Sequence, residues 1–194
     1  MNDLSLAIVG AGPVGLALAL HAARALPEAR IAVYDRRPAG QDVAQDPRTL
    51  ALSLGSVQEL ERLGVWAAIA PRAAPIRAVH VSQQQPALLA AVARLAQPEL
   101  LLSAQECGVA ELGAVASYGA IVAPLQAAWL AAVAAEPQRL AARFGTPVAA
   151  LKPLDGGVEL DAGIAERHDL AVVAEGGVFA GQPRKAFPQG LSAD

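Results

Sequence analysis

Three glycines and one aspartate carry the most legible chemistry in this chain. Gly10, Gly12 and Gly15 stand in G-x-G-x-x-G spacing, with Pro13 and Val14 between the last two, and Asp35 follows Gly15 by twenty residues. The first N–H groups of a helix have no partner within it, and the aligned peptide dipoles leave that end positive. A pyrophosphate is held there when no side chain blocks its approach. Gly10 would allow the tight turn from strand to helix, Gly12 the close approach of a pyrophosphate, and Gly15 the packing of the helix against the sheet. A carboxylate at Asp35 would accept hydrogen bonds from an adenosine ribose. The chemistry implied is dinucleotide binding, and no catalytic residue is assigned.

These residues need a strand, a helix and a second strand in register. Leu6–Val9 reads as a fully buried strand, and Pro13–Leu26 as a helix with Pro13 in its first turn, where a missing N–H costs nothing. Ile31–Tyr34 is the second strand and runs into Asp35. Arg36 to Pro47, rich in Pro, Gly, Gln and Asp, is expected as a surface loop. Leu54, Val57, Leu60 and Leu63 recur at three-residue steps, which predicts a helix over Ser53–Leu63, capped by Gly64 and followed by a helical turn at Val65–Ile69. A strand is expected at Ile76–Ser82, a turn at Gln83–Pro86 and a helix at Ala87–Ala96. Tyr118–Val122 reads as a short strand. Pro124–Ala135 reads as a helix, because proline is tolerated in a first turn and not further in. Pro147–Leu151 and Gly157–Leu160 are expected to pair antiparallel through the turn Lys152–Gly156, and Leu170–Val173 is a last buried strand. The expected fold is α/β and Rossmann-like over residues 1–178, with an irregular tail over 179–194. Its parallel central sheet would combine the first two strands with Leu170–Val173, and its small antiparallel element would lie around Pro147–Leu160.

Composition narrows the function classes. With 54% hydrophobic residues in 194, there is ample material for a core. A net charge of −3 gives no electrostatic footprint for nucleic acid. The single cysteine, Cys107, excludes an intrachain disulfide and a cysteine metal cluster, and fits a reducing cytoplasm. His21, His80 and His168 lack metal-ligand spacing and read as surface or helix residues, so no metal is expected. The N-terminus, whose early charge is Asp3 rather than Lys or Arg, does not read as a signal peptide. Leu112–Ala135 is free of charge, but its glycines, Ser117, Tyr118, Pro124 and Gln126 break it into a strand and a helix rather than a membrane span.

Four segments together resemble the FAD-dependent aromatic-ring monooxygenases of the para-hydroxybenzoate hydroxylase type, and within them the polyprenylphenol hydroxylases of ubiquinone biosynthesis. They are Ala7–Gly15 with Asp35-Arg36; Asp46-Pro47-Arg48-Thr49-Leu50-Ala51-Leu52-Ser53 with Leu63-Gly64-Val65-Trp66; Pro75–Ser82; and Asp169–Gly176. The resemblance implies that NAD(P)H reduces bound FAD and that the reduced flavin then uses O₂ to hydroxylate an electron-rich phenol. It implies that Gly10, Gly12, Pro13, Val14 and Gly15 hold the FAD pyrophosphate, that Asp35 binds the adenosine ribose and that Arg36 lies beside the adenine. Arg48 matches the family arginine that reaches the FAD from the following helix, and Glu175-Gly176 stands where the family has an Asp-Gly pair.

The chain departs from the family at three places. After Glu175-Gly176, Phe179 and Gln182 stand where the family has Ser and Arg. Ala123-Pro124 stands at the start of the middle helix, where polar residues usually meet the flavin. The family's Gly-Asp motif for the ribityl chain is missing, and family members are far longer. The expectation is therefore an N-terminal portion or a short homologue that binds FAD weakly and does not hydroxylate a phenol alone. A prenylated substrate would draw such a protein to the inner membrane surface or into a biosynthetic complex. Two other readings stay open: an NAD(P)-dependent dehydrogenase, with Asp35-Arg36-Arg37 facing the cofactor, and a non-catalytic nucleotide-binding or assembly subunit.

Overall fold

The computed structural model describes residues 4–82 and 99–176. The expected turn at Gln83–Pro86, the expected helix at Ala87–Ala96 and the tail lie outside these residues. The chain divides into two compact units, Met1–Gln41 with Trp129–Asp194, and Asp42–Ala128.

In the first unit, β1 (Ser5–Val9), α1 (Pro13–Ala25) and β2 (Arg30–Asp35) follow one another as the sequence predicts. Two further strands, β8 (Leu140–Phe144) and β12 (Leu170–Val173), complete a four-stranded sheet in the order β12-β1-β2-β8. All its pairings are parallel, with Leu6 opposite both Leu170 and Ile31, and Ile31 opposite Leu140. A crossover helix between parallel neighbours is the connection such a sheet requires. β1 is buried on both faces, as expected of a central parallel strand. β12 is half-buried rather than buried, because it is the sheet edge and Leu170 is exposed.

Strand alternation sorts this sheet into two faces. Ala7, Val9, Ala32 and Tyr34 form one buried cluster with Leu160, joined by Ala141, Leu151, Val158 and Ala171. That face is covered by an antiparallel sheet of β9 (Ala150–Leu154), β10 (Gly157–Asp161) and β11 (Ala165–His168), in the order β11-β10-β9. The expected antiparallel pair is present, with its turn narrowed to Asp155-Gly156 because Leu154 already pairs with Gly157. α1 packs on β1 and β2 and buries Leu16, Ala19 and Leu20. Burying a leucine of this kind contributes about 1.5–3 kcal/mol.

In the second unit, β3 (Thr49–Ser53), β7 (Gly113–Ser117) and β4 (Ala74–Ile76) form an antiparallel sheet in the order β3-β7-β4. α2 (Leu54–Leu63) starts on Ser53, whose hydroxyl accepts from the Ser56 N–H, and stops at Gly64, in the left-handed region. Val57, Leu60 and Leu63 are its buried face, and α3 (Trp66–Ile69) follows. The strand expected at Ile76–Ser82 breaks at Arg77. β4 joins the three-stranded sheet, whereas β5 (Ala78–Ser82) pairs antiparallel with β6 (Glu99–Ser103).

α4 (Tyr118–Ala135) corrects two expectations. Tyr118–Val122 is helix rather than strand, and Pro124 lies inside the helix rather than in its first turn. The helix starts where tertiary partners satisfy its first donors: Tyr118 N–H donates to the Arg48 carbonyl, Gly119 N–H to the Asp46 carbonyl at 3.2 Å, and Ala120 N–H to the Ser117 hydroxyl at 3.2 Å. These bonds fix the start of the helix ahead of Pro124, where local pattern alone would begin it. The helix is long and apolar enough to cross a membrane by composition, with hydropathy 1.5 over its span. Ile121, Leu125 and Trp129, at four-residue steps, are nevertheless fully buried within the protein.

Candidate functional site

The G-x-G-x-x-G run turns between β1 and α1 with the local geometry that its glycines predict. Gly10 has φ +110, and its N–H donates to the Tyr34 carbonyl at 2.7 Å. A Cβ at Gly10 would stand 2.8 Å from the Ala174 carbonyl, and one at Gly15 would overlap the Gly10 carbonyl oxygen. The first and third glycines are thus required by backbone packing. Gly12 is the N-cap of α1 and brings no side chain to cap it, and Pro13, at the first position, has no N–H. The first intrahelical bond runs from Leu16 N–H to the Gly12 carbonyl, 3.0 Å. The N–H groups of Val14 and Gly15 therefore stand at an uncapped helix end. Val14 is 70% exposed, so its side chain points to solvent and leaves its backbone reachable.

Asp35 closes β2 beside this turn and holds it. Its Oδ2 accepts from Ala11 N–H at 2.6 Å and its Oδ1 from Arg37 N–H at 2.7 Å. Arg37 returns the contact: Nε lies 3.4 Å from Asp35 Oδ1, and Nη2 donates to the Ala11 carbonyl at 2.7 Å. An ionised carboxylate has about four acceptor sites, so both oxygens keep capacity for a ribose hydroxyl. Arg37 was legible only as a charge in the sequence, and tertiary structure gives it this positioning role. Arg36, which the resemblance sets beside the adenine, is exposed.

Glu175 and Gly176 leave the end of β12, both exposed, with Ala174 N–H donating to the Val9 carbonyl at 2.7 Å. Gly10, Gly12, Pro13, Val14, Gly15, Asp35, Arg36, Glu175 and Gly176 thus gather at the C-terminal ends of three adjacent parallel strands. β1 has β2 on one side and β12 on the other, so strand order reverses there. Ligands of open α/β sheets bind in that crevice.

Arg48 belongs to the second unit. It precedes β3, and Thr49–Ser53 pairs with Ser117–Gly113 between it and α2. Its guanidinium forks onto Asp46, with Nη2 2.7 Å from Oδ2 and Nε 3.0 Å from Oδ1, and its Cζ lies 4.3 Å from the centre of the Tyr118 ring. Asp46 raises the Arg48 pKa further, chiefly through that hydrogen bond.

One polar chain in the first unit was not foreseen. His168, expected on a surface or helix, is a buried strand residue. Its Nδ1 lies 2.8 Å from the Ser5 hydroxyl and its Nε2 3.1 Å from the Tyr34 hydroxyl, which donates to Glu166 Oε2 at 2.9 Å. If Tyr34 donates to Glu166, its oxygen accepts from His168 Nε2–H, and Nδ1 accepts from Ser5. The ring is then neutral, in keeping with burial, which lowers the His168 pKa against the opposing pull of Glu166 and Asp169. Burial and Glu166 together raise the Tyr34 pKa.

No family model and no curated protein sequence matches the chain. Solved structures do share its fold. The Diels-Alderase PyrE3 of the pyrroindomycin biosynthetic pathway is 18% identical over 89% of this chain and 32% of its own, with a TM-score of 0.62. The p-nitrophenol 4-monooxygenase PnpA from Pseudomonas putida DLL-E4 is 16% identical over 93% of this chain and 43% of its own, at 0.56. The tetracycline destructase Tet(51) is 16% identical over 90% of this chain and 39% of its own, at 0.54. The chain spans less than half the length of each. At these identities the likeness is one of fold, and a fold shared by a Diels-Alderase and a monooxygenase does not specify a reaction.

Proposed function

We propose that the first unit binds the adenosine and pyrophosphate half of FAD, and that the chain is the cofactor-binding portion of a flavin-dependent monooxygenase. The observation that carries this reading is the juxtaposition at one sheet edge of the uncapped α1 N-terminus, the Asp35 carboxylate and the Ala174–Gly176 turn. The residues fit the group. Gly12 leaves the helix end open, the N–H groups of Val14 and Gly15 can donate to a pyrophosphate, and Asp35 is fixed by Ala11 and Arg37. When bound, the flavin supplies the redox and O₂ chemistry, with NAD(P)H as electron donor. The protein's part is to bind, orient and exclude water. A distant structural relative that is a monooxygenase is compatible with this role. The polyprenylphenol substrate rests on the family resemblance of Asp46–Ser53 and Pro75–Ser82.

Equilibrium titration of the purified chain with FAD, NAD⁺ and NADP⁺, read by calorimetry, tests the cofactor. FAD should bind most tightly. Tighter binding of a nicotinamide dinucleotide would favour the dehydrogenase reading, and binding of none would remove the site. In the presence of FAD, NAD(P)H, O₂ and a prenylphenol, the chain by itself should yield H₂O₂ rather than hydroxylated product, because the residues that shape a dry substrate cavity are not identified in it. Coupled product formation would show a complete active site.

A further inference from the structure

At the other end of the same parallel sheet lies a cleft of about 300 Å³ in the first unit. Its lining starts at the N-terminal ends of β1 and β2, where Ser5 lies about 15 Å along the strand from the glycine turn at ~3.3 Å per residue, and extends along β8 to Arg143. Four arginines line it, Arg30, Arg139, Arg143 and Arg167, together with Ser5 and His168, and no lining residue is acidic. The chain has 15 basic residues, and four of them, all arginines, line this one cleft. Register sets these residues on one face. Ser5 pairs with Arg30 across β1 and β2, and Arg143 pairs with Tyr34, four residues along β2 from Arg30, all on the face covered by the antiparallel sheet. Arg167 approaches from β11, beside His168.

The arginines differ in how far they are already satisfied. Arg139 is forked onto Glu136 at 2.6 and 2.7 Å, and its Nη1 is buried with no acceptor. Arg167 gives one donor to the Asp155 carbonyl at 3.1 Å. Arg30 and Arg143 form no ion pair and no side-chain hydrogen bond among the described residues. Carboxylates stand close by: Glu136 on Arg139, Glu159 opposite Arg167 across β10 and β11, and Glu166 and Asp169, which accept from the Tyr34 hydroxyl at 2.9 Å and the Ser5 N–H at 2.7 Å. The forks of Arg30 and Arg143 are left unused at a concave surface, and an oxyanion of two or more charges answers them. We propose that this cleft is a binding site for a small multivalent oxyanion, a phosphate group being the type, held by Arg30, Arg143 and Arg167 and separate from the dinucleotide site.

Calorimetric titration of the full chain with inorganic phosphate at fixed ionic strength, against chloride as control, tests the assignment. Saturable phosphate binding is expected. The double variant Arg30→Gln, Arg143→Gln should raise the Kd by about tenfold or more, since two charge-assisted contacts are lost. Both side chains are exposed, so the fold should persist, as checked by circular dichroism and the melting temperature. Arg62→Gln, a surface arginine of the second unit, should leave the Kd unchanged. Because phosphate can also occupy the glycine turn, the titration is repeated with Gly12→Val. Phosphate binding that survives Gly12→Val and falls in the double variant supports the cleft, whatever becomes of FAD binding. Binding abolished by Gly12→Val and unaffected by the double variant overturns it, as does the absence of saturable binding or an equal effect of chloride.

Discussion

At the C-terminal ends of β1 and β2 the proposed dinucleotide site offers backbone N–H groups from one short run, Gly10–Gly15. The proposed oxyanion cleft, which starts at the N-terminal ends of the same strands, offers side chains drawn from four separate places, Arg30, Arg139, Arg143 and Arg167. The first end works by what its residues lack: a Cβ at Gly10 and Gly15, a capping side chain at Gly12, an N–H at Pro13. The second would work by guanidinium donors, of which those of Arg30 and Arg143 are unused. A site made of omissions is fragile to small additions. A site made of guanidinium groups tolerates single substitutions and weakens with ionic strength.

The contrast breaks most sharply at Gly15. Gly15→Val should destabilise the whole unit, because its Cβ meets backbone that cannot move aside. Overpacking costs about 1–3 kcal/mol or more, which lowers the melting temperature by roughly 2–4 °C per kcal/mol in a chain of this size. A thermal melt within a degree of wild type would show that α1 can shift away from β1. Gly12→Val should instead separate binding from folding, abolishing FAD affinity in calorimetry while the melt stays close to wild type.

Asp35→Ala should do some of both. The carboxylate holds Ala11 N–H and Arg37 N–H, so its removal should cost about 1–3 kcal/mol of stability and weaken FAD binding by roughly tenfold, less than Gly12→Val does. Loss of FAD affinity without any loss of stability would show that the turn does not need its clamp.

His168 gives a smaller effect with a defined sign. Burial depresses its folded pKa below the unfolded value of about 6.5, so the unfolded chain takes up the proton first as pH falls. Its contribution to stability is present above about pH 6.5 and is lost as pH drops from there toward the depressed folded value. Melting temperatures between pH 7.5 and 5 should fall more steeply in the wild type than in His168→Gln, and parallel slopes would remove the histidine as the cause. Smallest of all, Arg48→Ala should leave the melt unchanged within error, because its pairing with Asp46 is exposed to solvent.

Much of the first unit could be read from the chain because each part announces itself locally. Apolar Leu6–Val9, the glycines and Pro13 fix strand, turn and helix start within ten residues. β8 went unread because Leu140-Ala141-Ala142-Arg143-Phe144 has neither alternation nor β-branched bulk, and it becomes a strand by pairing with β2. β3 has no separate signal in the sequence, because Thr49–Ser53 alternates only between exposed and half-buried residues. The start of α4 is hidden from local pattern, because the carbonyls of Asp46 and Arg48 that accept its first N–H groups are remote in sequence.

The glycine turn and its helix follow from residue type alone, since the φ of Gly10, the uncapped N-terminus and the spacing to Asp35 are short-range consequences of it. That Arg37 clamps the turn, that His168 is buried between Ser5 and Tyr34, and that four arginines share one cleft come from the folded arrangement. Those outcomes depend on strand register, which brings residues far apart along the chain within hydrogen-bond reach and leaves no trace in local pattern.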